Sequence, residues 1–60
     1  MIEVKIFIND KEIYNGYYDC IQEFHNDMLS PSDFILFKSN GAGDMYVRKS
    51  LIRYYVVKIL

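Results

Sequence analysis

Two side chains in this 60-residue chain are of the types needed for covalent catalysis, the lone cysteine Cys20 and the lone histidine His25. A thiol nucleophile requires a base within hydrogen-bond reach. The two residues lie five positions apart in the segment DCIQEFHNDML, whose apolar spacing predicts a helix. Five positions rotate a side chain by about 140° around a helix axis, so the helix does not bring the two together. We therefore interpret Cys20 as a small buried thiol and His25 as a residue at the rim of the core.

The sequence also lacks the residues needed for a serine-based catalytic site or a metal centre. The serines have no second histidine that could act as their base. One cysteine and one histidine supply too few nitrogen and sulfur ligands for a structural zinc site. The sequence therefore predicts a protein that is not an enzyme, with no catalytic residues, no cofactor and no metal.

The glycine-rich segment SNGAGDMYVRKS, residues 39–50, raises the alternative of a phosphate-binding loop. Such a loop joins a strand to the N-terminus of a helix, and its common form has the spacing G-x-x-x-x-G-K-[ST]. Here Gly41 and Gly43 are separated by one residue, and the residues after them are typical of a strand. We interpret the segment as a β-hairpin turn, in which Asn40 and Gly41 supply the positive φ of a tight turn.

The size of the chain predicts a single domain, residues 1–60, with a marginal core. A chain of this length buries only about 60% of its unfolded surface. One cysteine cannot form an internal disulfide, while 52% of the residues are hydrophobic, including six Tyr and four Phe. We expect some of that apolar surface to meet a second copy in a homodimer. Charges interrupt the apolar positions of MIEVKIFIND, so we expect no membrane contact and, with a lone thiol, a cytoplasmic location.

The periodicity along the chain predicts the order β-β-α-β-β-β. Apolar residues alternate with others over residues 2–8, and a second strand begins at Ile13. The helix is predicted over residues 19–28, with Asp19 as its N-cap and Gln22 in the capping-box position, and Pro31 forces its end. A strongly bent strand over residues 13–24 is the alternative. Further strands are predicted over residues 33–39, 44–50 and 51–60.

This order predicts an α+β fold in which one helix packs on an antiparallel sheet of four or five strands. A small β-barrel of the Sm or SH3-like type is the alternative fold. The final segment, LIRYYVVKIL, is apolar on both of its strand faces. Because one helix covers only one face of the sheet, we predict that Ile52, Tyr54 and Val56 form a dimer interface.

Charge is distributed unevenly, although the net charge is only −1. Residues 10–33 contain six acids and one base, whereas residues 34–60 contain five bases and one acid. Asp19, Glu23 and Asp27 are spaced to form a carboxylate stripe on the predicted helix, which suits binding to a basic partner surface. Basic and aromatic side chains interleave in the C-terminal half, as they do on single-stranded nucleic-acid platforms. These are Arg48, Lys49, Arg53, Tyr54 and Tyr55.

Two families resemble parts of this chain. The segment LSPSDFILF, residues 29–37, is similar to a helix-to-strand junction in the small phage inhibitors of uracil-DNA glycosylase, which are dimeric acidic proteins that imitate DNA. The segment FILFKSNGAGDMYVRKSLIRYYVV resembles the closing strands of Sm-like RNA-binding barrels. The first resemblance implies a protein inhibitor, and the second implies a nucleic-acid-binding protein.

The preferred hypothesis is a small protein-binding module. We expect a homodimeric inhibitor from a phage or mobile element, of an anti-defence type, that binds a host enzyme acting on nucleic acid. Under it, Asp19, Glu23 and Asp27 contact that host protein. The alternative is an Sm-like binder of RNA or single-stranded nucleic acid, and a further alternative is a structural subunit of a phage assembly.

Overall fold

The computed structural model describes residues 1–38 and 43–60, and five strands and one helix lie within them. They are β1 (Ile2–Phe7), β2 (Ile13–Tyr18), α1 (Ile21–Leu29), β3 (Phe34–Lys38), β4 (Asp44–Arg48) and β5 (Tyr54–Ile59). A short 3-10 turn, Lys49–Leu51, connects β4 to β5. The predicted order β-β-α-β-β-β and the α+β class are confirmed. No helix in these two described stretches has the length and apolar character needed to cross a membrane.

The strands are divided between two antiparallel sheets. One sheet has the order β2-β1-β5, and the other is the β3-β4 hairpin. The division arises after β4, because the 3-10 turn redirects the chain and β5 then pairs with β1 at the far side of the first sheet. Within the described residues the strands do not close on themselves, so the barrel alternative does not hold.

The core lies between the two sheets and α1. Strand β1 alternates as its sequence predicts, since Ile2, Val4 and Ile6 are buried and the residues between them are half-buried. The other buried hydrophobic side chains come from β2, α1, β3 and β4: Tyr18, Phe24, Ile35, Phe37 and Val47.

The two sheets are in close contact at Gly16 on β2. The ring of Phe37, which is fully buried, lies against the backbone of this glycine. A Cβ added to Gly16 would lie 2.6 Å from Cζ of Phe37, far inside an ordinary contact distance. The absence of a side chain here lets β3 pack onto β2.

Helix α1 begins two residues later than predicted. Its N-cap is Cys20, which has extended backbone angles and makes no side-chain capping bond. Asp19 precedes the N-cap, so the predicted cap and capping box are wrong, and the amide of Gln22 instead donates to Asn26 Oδ1 at 2.9 Å. The predicted buried thiol is also wrong, since Cys20 is exposed. The physical reason is that β2 extends to Tyr18, whose ring packs against Phe24 and draws the chain into the core before the helix starts.

The end of α1 agrees with its sequence. Ser30 is the C-cap and has the extended backbone geometry imposed by Pro31. Its hydroxyl and its N–H both donate to the carbonyl of Asp27, at 2.8 and 3.3 Å. Because β2 ends at Tyr18 and α1 begins at Ile21, the alternative of a bent strand over residues 13–24 is wrong.

The first hairpin turn falls where the sequence places it, and the strands on either side of the second predicted turn pair with each other. In the first, Asn9 Oδ1 accepts the N–H groups of Lys11 at 2.8 Å and Glu12 at 2.9 Å, as an Asx turn does. In the second, β3 pairs with β4 from Phe34↔Arg48 to Lys38↔Asp44, so a strand and not a helix follows the glycines. Asn40 and Gly41 lie outside the described residues, while Gly43 has a φ of 80°.

Candidate protein-binding surface

Strand β5 is the one strand whose six residues are all exposed in the described structure. It pairs with β1 along one edge and lies at the end of its sheet, so no strand within residues 1–38 and 43–60 lies beside its other edge. The exposed fractions are 54% for Tyr54, 51% for Val56, 37% for Val57 and 83% for Ile59. An apolar edge strand with this exposure is a template for pairing with another chain.

The inner face of β5, which points to the same side of the sheet as the core, is only partly covered. Register places Tyr55, Val57 and Ile59 beside the buried side chains of β1. The ring of Tyr55 packs edge-on against Phe24 of α1 with centroids 5.0 Å apart, and its hydroxyl lies 3.4 Å from His25 Nε2. Helix α1 thus covers β5 at Tyr55, and the apolar surface farther along the strand stays open.

The outer face of β5 carries two of the three predicted interface residues. Tyr54 stacks on Phe7 of β1 with ring centroids 4.5 Å apart and planes 15° apart. Val56 lies on the same face, so the structure brings these two together. Ile52 does not join them, because it precedes β5, packs against the core and donates its N–H to Lys49 O at 3.1 Å.

The carboxylate stripe is shorter than the sequence indicated. Glu23 and Asp27 share a flank of α1 and are half-buried, whereas Asp19 is exposed and lies before the helix. At 100° per residue, this flank is on the opposite side of Phe24 from His25. The acidic flank therefore faces away from β5, so α1 presents carboxylates on one side and an aromatic contact with β5 on the other.

The basic residues are distributed over separate parts of the surface. The Arg48 guanidinium lies over the Phe34 ring at 5.0 Å. The Lys49 ammonium donates to Ser30 at the end of α1, at 2.7 Å to the carbonyl and 3.0 Å to the hydroxyl. These contacts give both residues structural roles.

Farther along the chain, Arg53 lies 3.6 Å from Asp10 in an exposed ion pair. Tyr54 and Tyr55 point to opposite faces of β5, where Tyr54 stacks on Phe7 and Tyr55 makes an edge-on contact with Phe24. Nucleic-acid binding by the predicted set of five residues stays a prediction.

Sequence reasoning missed the contribution of Val57 and Ile59 to this surface. The signal was present, since the last segment is apolar at both odd and even positions. Which face would be covered depended on where α1 and the hairpin pack, and the local pattern does not contain that information.

In residues 1–38 and 43–60, the His, Cys, Asp and Glu side chains form no group of three that could hold a metal ion. No family model matches this chain, and neither the curated proteins nor the solved structures contain a significant match to it.

Proposed function

We propose that this protein is a non-enzymatic protein-binding module that acts as a homodimer. In this proposal it is an inhibitor, carried by a phage or mobile element, that binds a host enzyme acting on nucleic acid. It works in the host cytoplasm and forms the dimer through β5. The observation that carries the proposal is the exposure of all six residues of β5 beside an unoccupied strand edge.

The apolar character of β5 supports association with protein. Tyr, Val and Ile are favoured at protein interfaces or in strands, and five of the six residues of this strand are of those types. A binding surface for a highly charged polymer would instead require a continuous field of basic side chains. Two basic residues of the predicted nucleic-acid-binding set are already engaged, Arg53 by Asp10 and Lys49 by Ser30.

The acidic flank supports a basic partner surface. Asp19 is exposed near the start of α1, and Glu23 and Asp27 follow on one side of the helix. Enzymes that act on nucleic acid bind its phosphates in basic grooves, so a row of carboxylates can occupy the same positions. Because this flank faces away from β5, a dimer formed through β5 leaves it accessible.

The proposal is tested with purified enzymes that bind DNA, among them a uracil-DNA glycosylase, a nuclease and a methyltransferase. The protein is added to each, and both complex formation and enzyme activity are measured. The triple variant Asp19→Asn, Glu23→Gln, Asp27→Asn removes the carboxylates with little change in shape. We expect it to bind at least about tenfold more weakly, since each lost charge pair at an interface reduces affinity and association rate.

A matched control removes the same charge elsewhere. The variant Asp10→Asn, Asp33→Asn, Asp44→Asn likewise changes three acids to amides, here all at exposed positions. We expect it to bind and inhibit like the unmodified protein. If no such enzyme is bound, or if both triple variants bind equally well, the proposed partner class is wrong.

A further inference from the structure

Two hydrogen bonds at the ends of β1 show which backbone groups of β5 point to β1 and which point to its free edge. Leu60 N–H donates to Met1 O at 3.2 Å, and Ile8 N–H donates to Glu12 O at 2.9 Å. In antiparallel pairs, successive residues direct their N–H and C=O groups to alternate sides. Odd residues of β1 therefore bond to even residues of β5, and even residues of β1 bond to β2. The N–H and C=O groups that point to the free edge belong to Tyr55, Val57 and Ile59.

Pairing of two identical strands about a two-fold axis restricts the register. The axis exchanges the strands, so the residue on the axis lies opposite its own copy. With Val57 on the axis, Tyr55 lies opposite the partner's Ile59, and all three outward-pointing residues fall in hydrogen-bonded pairs. Each of these three pairs exchanges two bonds, so six bonds complete the edge.

The neighbouring registers leave groups unpaired. With Val56 on the axis, the partner's Ile59 would lie opposite Arg53 and would need its N–H and C=O groups as hydrogen-bond partners. Arg53 N–H, however, already donates to Phe7 O at 2.9 Å. With Lys58 on the axis, two ammonium groups would lie directly opposite each other, which is destabilising. The backbone and the charges therefore select Val57.

Side chains are compatible with the Val57 register on both faces of the sheet. On the inner face, Val57 meets its own copy and Tyr55 meets the partner's Ile59, which covers the open apolar surface beyond α1. On the outer face, Tyr54 lies opposite the partner's Leu60, and Val56 opposite the aliphatic part of the partner's Lys58. Within each subunit, Lys58 is also beside Glu3 of β1, so its charge has a neighbour of opposite sign.

A second copy is the occupant that fits this edge. The strand YYVVKI contains no proline and a single charged residue, Lys58, so it has few of the features by which edge strands avoid pairing. A net charge of −1 opposes self-association only weakly. We propose, building on the homodimer of the proposed function, that two β5 strands pair antiparallel about a two-fold axis at Val57. The result is a continuous six-stranded sheet with the order β2-β1-β5-β5-β1-β2.

Cysteine cross-linking tests the register. In a Cys20→Ser background, which removes the exposed native thiol, Val57→Cys places two sulfurs in a directly opposed pair. The Cα atoms of such a pair are about 5.5 Å apart, within the range of a disulfide. Val56→Cys is the matched control, because two copies of residue 56 would be diagonal neighbours about 7–8 Å apart. Both positions are exposed, so neither substitution disturbs the core.

Under mild oxidation we expect the Val57→Cys protein to become a disulfide-linked dimer and the Val56→Cys protein to stay largely unlinked. Faster cross-linking of the Val56→Cys protein would overturn the Val57 register. A monomer in sedimentation velocity at submillimolar concentration would overturn the pairing itself. Neither measurement involves a partner enzyme, so failure of the dimer is distinguished from failure of enzyme binding, which the acid-to-amide variants report.

Discussion

Replacement of Gly16 by alanine tests how the two sheets are held together. The added Cβ would lie 2.6, 2.8 and 2.9 Å from three carbons of the Phe37 ring. Ordinary contacts begin near 3.4 Å, so the ring must retreat by about 0.8 Å. Phe37 is fully buried and its ring centroid lies 6.1 Å from that of Tyr18, so the ring cannot move without disturbing the core.

The expected loss is large for a domain of this size. Overpacking costs about 1–3 kcal/mol, and the lower chain entropy of unfolded alanine returns about 0.4–1 kcal/mol. We therefore expect the free energy of unfolding to fall by about 1–2 kcal/mol, out of roughly 3–9 kcal/mol for 60 residues. In thermal unfolding this corresponds to a decrease in Tm of about 5–15 °C.

Urea denaturation at fixed protein concentration measures this loss, and a double-mutant cycle assigns its cause. Phe37→Leu replaces the ring with a shorter aliphatic side chain. In that background Gly16→Ala should destabilise the protein by at least about 1 kcal/mol less. Gly43→Ala is the control, because Gly43 has a φ of 80° and a Cβ there meets nothing within 4 Å. Its cost comes from the backbone, and the Phe37 change should not alter it. If Gly16→Ala is as stable as the original protein, or if its cost is the same in both backgrounds, the ring contact does not limit the packing.

Two further substitutions test local contacts. Asn9→Ala removes the Oδ1 atom that accepts hydrogen bonds from the N–H groups of Lys11 and Glu12. We expect the free energy of unfolding, measured by urea denaturation, to fall by about 1 kcal/mol. Asn9→Asp keeps the acceptor, so its loss of stability should be less than half of that. Lys49→Met removes the ammonium that donates to Ser30 at 2.7 and 3.0 Å, so we expect the free energy of unfolding to fall by about 1 kcal/mol. Lys11→Met, at an exposed turn position, is the control and should leave stability unchanged. Equal effects of the two lysine changes would show that the Ser30 contact contributes nothing.

The sequence predicts most of the elements because each has a local signal. Strand β1 follows from strict alternation, since a half-buried strand must bury every second residue. The end of α1 follows from Pro31, whose ring excludes helical geometry at Ser30. The start of α1 could not be located in the same way. It depends on the packing of Tyr18 against Phe24, a contact between side chains of two different elements.

The apolar character of the candidate surface could be predicted from the sequence, but its position only in part. Two apolar faces in the last segment indicated contact with another chain, and Tyr54 and Val56 are exposed on β5. Ile52 was assigned to the same strand because the apolar pattern continues through it, but the 3-10 turn places it against the core. The free edge that points outward could not be predicted, because it depends on the pairing of β5 with β1 at the opposite end of the chain.

The pairing of β1 with β5 also has a consequence for how the chain folds. The register from Ile2↔Ile59 to Phe7↔Tyr54 joins segments separated by nearly the whole sequence. Contacts this distant form slowly, because the intervening chain must be ordered before they stabilise it. During synthesis β1 can pair with β2 early, but its second edge stays open until β5 has been made. Strand β5 thus pairs with the second edge of the central strand β1, and we expect the sheet to be completed only after β5 has been synthesised.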